Sequence, residues 1–100
     1  MDTPFSTKAV ILQELAEGTG YGSAMMDRVK ERTEERLSLH SGSVYPALVA
    51  MEKEGLIRKK KGAEVGRACY YYLTAKGRKL AEEQRLLAKI IFVEARQAAA

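Results

Sequence analysis

Apolar residues recur along this chain with two different periods, and the change from one to the other marks its elements. From residue 6 to 17, Ile11, Leu12, Leu15 and Ala16 keep the three-to-four spacing of one helix face. Ala9 and Val10 widen that stripe, Ser6 stands where a cap is wanted, and Gly18 stops the helix. Gly18-Thr19-Gly20-Tyr21-Gly22 predicts a tight turn, with the Tyr21 ring packed over the joint. A second helix is expected from about Ser23 to Arg32 or Glu35, with Met25, Met26 and Val29 inward. Leu37 and Leu39 anchor a short connection to a third helix. There Val44, Leu48 and Met51 recur at i, i+4 and i+7, and Gly55 sits just past the end. The opposite face carries Gly42, Ser43, Pro46, Val49, Ala50 and Lys53. Ser41 and Ser43 are both candidate caps. With Ser43 as cap, Pro46 falls harmlessly in the first turn; with Ser41, that turn must loosen or become 3₁₀-like.

After Gly55 the period shortens. Residues 56–61 are β-permissive, 62–67 form a glycine-bounded turn, and Cys69-Tyr70-Tyr71-Tyr72-Leu73 is strongly β-prone, so a β-hairpin with a basic tip is expected. Alternation puts Cys69, Tyr71 and Leu73 on one face, toward the helices, and Tyr70 and Tyr72 on the other. Cys69 then reads as a small buried hydrophobe. Thr74 is placed to cap a last helix running from Ala75 into the high nineties. On it Leu80, Leu87 and Ile91 recur, with Leu86, Ile90 and Val93 beside them. A domain of this size cannot cover the far half of so long a stripe, so Leu86 to Val93 need a partner. These six residues predict an interface with a second copy, the alternative being a fold back over the first helix that covers part of the stripe. The expected fold is mainly α with a small β-hairpin. It reads as a winged helix-turn-helix domain over residues 1–74, followed by a long C-terminal dimerisation helix over 75–100.

Composition narrows the class. The chain is 46% hydrophobic and 30% charged, which excludes a disordered chain and fits one domain of 100 residues. No apolar run reaches the roughly 20 residues of a membrane span, and the first residues do not resemble a signal peptide. A cytoplasmic protein without a membrane role is expected. The net charge of +4 is uneven. Residues 1–55 carry a net −3, whereas residues 56–67 alone carry +4, right behind the third helix. A polyanion is the natural partner of such a patch.

Catalysis finds no foothold here. One histidine, His40, and one cysteine, Cys69, build neither a nucleophilic triad nor a zinc site within the chain, so no enzyme, metal or cofactor is expected. The glycine turn at 18–22 is followed by no Gly-Lys-Ser/Thr, so it is not read as a phosphate loop. The order of elements instead assigns the chemistry to double-stranded DNA. His40, Ser41 and Ser43 offer short donors and acceptors at the start of the third helix, with Tyr45 as a longer hydroxyl at its flank. Lys59, Lys60, Lys61 and Arg67 line the hairpin, or wing, for the flanking phosphate backbone or the minor groove. The competing reading is a winged module that uses Tyr70 to Tyr72 and its last helix to bind protein without reading DNA.

Four stretches also resemble one family. They are Ile11-Leu12 with Leu15-Ala16-Glu17-Gly18 and Gly20-Tyr21-Gly22; Leu39-His40-Ser41-Gly42-Ser43-Val44-Tyr45-Pro46-Ala47-Leu48; Glu54-Gly55-Leu56-Ile57; and Tyr70-Tyr71-Tyr72-Leu73-Thr74-Ala75-Lys76-Gly77-Arg78. In order and spacing these are similar to the PadR family of bacterial transcriptional regulators, in its short-tailed branch. The resemblance implies a homodimeric DNA-binding regulator, usually a repressor on a roughly palindromic operator, joined through its C-terminal helix. It implies DNA contacts from Ser41, Ser43 and Tyr45, and backbone contacts from wing residues such as Lys61 and Arg67. His40 departs from the family's common proline. The chain has no tryptophan, which some relatives use to hold flat drugs, so no effector ligand is implied.

Overall fold

The computed structural model describes the backbone of residues 6–66 and 68–99, and side chains as far as residue 91. Its elements follow in the order α1 (Thr7–Ala16), α2 (Gly22–Arg32), α3 (Ser41–Lys53), β1 (Ile57–Lys59), β2 (Tyr71–Leu73) and α4 (Ala75–Ala99). β1 and β2 pair antiparallel, with Ile57 opposite Leu73, Arg58 opposite Tyr72 and Lys59 opposite Tyr71. Four helices with a two-stranded wing make a winged helix-turn-helix.

Each boundary has a local cause. The Ser6 side chain accepts from the Ala9 amide and caps α1. At its other end Gly18 adopts φ 89, and the Gly18 and Thr19 amides bond back to the Leu15 and Glu14 carbonyls. α3 ends the same way. Gly55 takes φ 78, and the Gly55 and Leu56 amides return to the Glu52 and Met51 carbonyls. The Thr74 hydroxyl accepts from the Gly77 amide and caps α4, while the Thr74 amide donates to the Leu56 carbonyl. Gly77 is required there, because a Cβ would stand 2.0 Å from the Leu56 carbonyl oxygen. The segment Thr74 to Gly77 thus seats α4 directly on the exit from α3.

The turn between α2 and α3 is made without glycine. Glu34 and Glu35 both hold positive φ, 52 and 67, where a side chain costs about 1 kcal/mol or more. The Glu35 amide still bonds the Lys30 carbonyl, and the Thr33 hydroxyl accepts from the Leu37 amide and donates to the Val29 carbonyl. These bonds over-determine the turn and hold its strained residues in place.

The core joins Ile11, Leu12 and Leu15 of α1 to Met25 and Val29 of α2, Val44, Leu48 and Met51 of α3, Leu56, Ile57, Leu73 and Ala81. Burying such side chains contributes about 1.5–3 kcal/mol each. One charged residue lies among them: Glu14 is 2% exposed. It accepts from Arg28 Nε at 3.0 Å and lies 3.4 Å from Arg32, and both arginines also reach Glu17. The hydrogen bond to Glu14 is the main cause that raises the Arg28 pKa above its ordinary value. This cluster bolts α2 to α1 and so fixes the angle at which α2 presents α3.

Candidate nucleic-acid interface

α3 starts differently from either alternative left open by its sequence. Its N-cap is His40, which makes no side-chain capping bond, and Ser41 is already the first helical residue. Neither Ser41 nor Ser43 is the cap. The His40 carbonyl accepts from both the Ser43 and the Val44 amides at 2.9 Å, so the first turn is partly 3₁₀. Pro46 therefore lies inside the helix, one turn in. Having no N–H, it cannot donate to the Gly42 carbonyl four residues back. The irregular first turn is the local counterpart of that proline.

The result is a helix start that leaves its polar groups in solvent. His40, Ser41, Gly42, Ser43, Tyr45 and Pro46 are all exposed. A Cβ on Gly42 would meet nothing within 4 Å, so a foreign surface can come close to the backbone there. Tyr45 is 48% exposed and lays one edge of its ring over Gly22 at the start of α2, 3.1 Å from where a Cβ would stand. Gly22, Ser23, Tyr45, Ala68, Cys69 and Tyr71 line one groove, which joins the starts of α2 and α3 to the root of the wing.

Lys59, Lys60 and Lys61 are exposed along the wing, beside exposed Arg58. The end of β1 and the residues after it are braced from behind. The Lys60 amide bonds the Tyr70 carbonyl, and Lys60 Nζ stands 5.9 Å over the Tyr70 ring. Tyr70 packs edge-on against Tyr21 at 5.1 Å and donates to the Gly18 carbonyl. Tyr21, next to the first residue of α2, donates in turn to the Ala63 carbonyl in the wing turn. The Tyr71 amide bonds the Gly20 carbonyl, and Gly20 has no room for a Cβ against Tyr70. The glycine turn thus serves the wing: it lets two tyrosines fasten the lysine-bearing loop to the helix-turn-helix.

Tyr71 turns inward and is half-buried, and burial raises its phenol pKa against the opposing effect of Lys59. Cys69 departs from the expected alternation. It precedes β2 and is only half-buried at the groove, not part of the core. The reason is that β2 begins only at Tyr71, while residues 65 and 68 close their own small bridge. Arg67 lies outside the described residues.

The residues expected to pair with a second copy divide along α4. Leu80 is half-buried against the core of its own chain. Leu86, Leu87, Ile90 and Ile91 are between 44% and 58% exposed, one after another on the helix. The Val93 side chain lies outside the described residues. Sequence reasoning missed the brace of Tyr21 and Tyr70 on the wing and the buried Glu14 cluster. Three tyrosines in a row signal a strand but not the distant glycine turn that Tyr70 and Tyr71 contact. Among the described residues, no helix is long and apolar enough to cross a membrane.

Comparison with known proteins agrees with this geometry. Residues 11–83 match the model of the transcriptional regulator PadR-like family. A transcriptional regulator from Clostridium thermocellum superposes with a TM-score of 0.76 at 25% identity, over 91% of this chain and 87% of that one. A PadR family transcription regulator from Clostridium difficile R20291 gives 0.72 at 26% identity, over 94% and 98%. A PadR-like transcriptional regulator from Bacillus cereus gives 0.74 at 23% identity, over 93% and 89%, which speaks to the fold alone. Among curated proteins no relative matches. The chain belongs to the PadR-like family of transcriptional regulators.

Proposed function

We propose that this protein is a cytoplasmic homodimeric repressor that reads a roughly palindromic DNA operator. The observation that carries the proposal is an exposed, hydroxyl-bearing helix start together with an exposed lysine-rich wing, Tyr45 of the one and Tyr71 of the other lining one groove. In this reading α3 enters the major groove, and His40, Ser41, Ser43 and Tyr45 meet base edges and the nearest phosphates. Lys59, Lys60, Lys61 and Arg67 neutralise the flanking backbone and supply most of the salt-sensitive affinity. Residues 1–74 act as the reading unit and 75–100 as the dimerisation helix. The four exposed leucines and isoleucines from Leu86 to Ile91 support that division, since lone apolar residues are normal on a surface but a continuous patch asks for a partner. Two α4 helices packed together would place two α3 helices on successive half-sites, and this symmetry is what a palindrome mirrors. A repressor needs no more than occupancy of such a site.

The test is fluorescence anisotropy on the duplex upstream of the protein's own gene and on duplexes selected from a random library. Tight binding that weakens steeply with salt is expected. The absence of salt-sensitive binding to any duplex would refute the reading.

A further inference from the structure

The exposed side of α3 has an unusual composition for a DNA-reading helix. From Ser41 to Met51 there is no Arg, Lys, Asn, Gln, Asp or Glu. Those are the side chains that bond guanine, adenine and cytosine edges through the major groove. What α3 turns outward is set by its core stripe. Val44, Leu48 and Met51 are buried, so at 100° per residue the opposite line runs through Gly42, Pro46, Val49 and, a turn later, Lys53. All four are exposed, Val49 at 51%. Ala50, also exposed, flanks them on one side and Tyr45 on the other. The middle of the line is therefore apolar, with hydroxyls confined to its first turn and a single cation at its far end.

Resting on the reading of α3 as the DNA-reading helix, we propose that Val49, with Pro46 and Ala50, selects thymine by contact with its C5-methyl group. That methyl is the one apolar feature of the major-groove edge. An apolar ridge offers nothing to replace the water on a guanine or adenine edge, so it disfavours them there. The occupant is fixed by what surrounds the ridge. Tyr45 of the same helix lines a groove with Ala68, Cys69 and Tyr71 of the wing root, the exposed lysines of the wing suit a phosphate backbone, and Gly42 lets that backbone or a base edge approach α3 closely. A protein partner would meet this ridge only beside uncovered lysines. Val49 acts here as a specificity-determining residue, while the hydroxyls of Ser41, Ser43 and Tyr45 set the register.

The experiment selects duplexes from a random library with the full-length protein, then replaces each thymine of the winning site by uracil, which removes only the methyl. The expected result is a thymine in each half-site whose replacement weakens binding about fourfold, the worth of one buried methyl. In Val49→Ala the same replacement should cost close to nothing, the sign of a direct contact in a double-mutant cycle. Val49 is exposed, so this variant keeps its fold, which circular dichroism would verify. Sites that bind tightly but show no uracil-sensitive thymine would overturn the inference and leave the DNA-binding reading intact. A uracil penalty that is the same in Val49→Ala and wild type would overturn the role of Val49. Failure to enrich any duplex would overturn the DNA-binding reading, and this inference with it.

Discussion

Two surfaces of this protein leave apolar side chains in water, and they differ in kind. On α4, Leu86, Leu87, Ile90 and Ile91 form an uninterrupted patch of large aliphatic groups. On α3, Pro46, Val49 and Ala50 are small, are preceded by serines and a glycine, and start beside a wing carrying three consecutive lysines. The first surface has the composition of a core cut in half and suits a dry, permanent contact with a like surface. The second suits a wet, polar groove with charged walls. The difference teaches that exposure alone says little; the groups around an exposed apolar residue say what can cover it.

The comparison can be broken most forcefully at α4. Replacing Leu87 and Ile91 together by glutamate should halve the sedimenting mass without loss of helix, since neither side chain belongs to the protomer's core. It should also weaken operator binding by about a hundredfold or more, because two linked half-sites lose their avidity. An unchanged mass would remove the dimer from the account. Next in size is the wing. Alanine at Lys59, Lys60 and Lys61 should make the log–log salt dependence of binding shallower by roughly two to three units per bound protomer, about five for a dimer, and affect every duplex alike. A change of sequence preference would contradict that division of labour.

A smaller effect is expected behind the wing. Tyr21→Phe keeps the ring against Tyr70 but removes the hydroxyl bonded to the Ala63 carbonyl. Losing it should cost about 1 kcal/mol of local stability. Amides of residues 60–66 should then exchange faster with solvent, and DNA affinity should fall severalfold with dimer mass unchanged. The smallest effect sharpens the comparison by touching neither surface. Glu34→Gly should relieve a left-handed backbone position in the turn before α3 and raise the denaturation midpoint, a gain of about 1 kcal/mol. Its DNA affinity should match wild type; a change would mean that the strain in this turn tunes the angle of α3.

Much of the architecture was legible because it rests on local rules. The Gly55 stop of α3, the Ser6 and Thr74 caps and the change of period at the hairpin are each written in a few adjacent residues. The start of α3 and the root of the wing were only half legible. His40 could not be recognised as the N-cap of α3, because it caps through its place in the backbone and not through its side chain. Two serines with good capping chemistry stood one and three residues further on. Cys69 was misplaced because alternation assumes that a strand keeps going, whereas pairing here gives way to a tight turn. Nothing in the residues next to Glu14 marks it as buried, and its burial depends on two arginines a helix away. Contacts between distant segments leave no mark in local pattern, and those contacts are what set the angle of α2 and the reach of the wing.

The most direct test of the central claim is an amide chemical-shift map of the protein titrated with its selected duplex. Shifts should concentrate at residues 40–50 and 58–66, with little change from Leu86 to Ile91. Shifts centred on that far half of α4, with the α3 start and the wing silent, would contradict it.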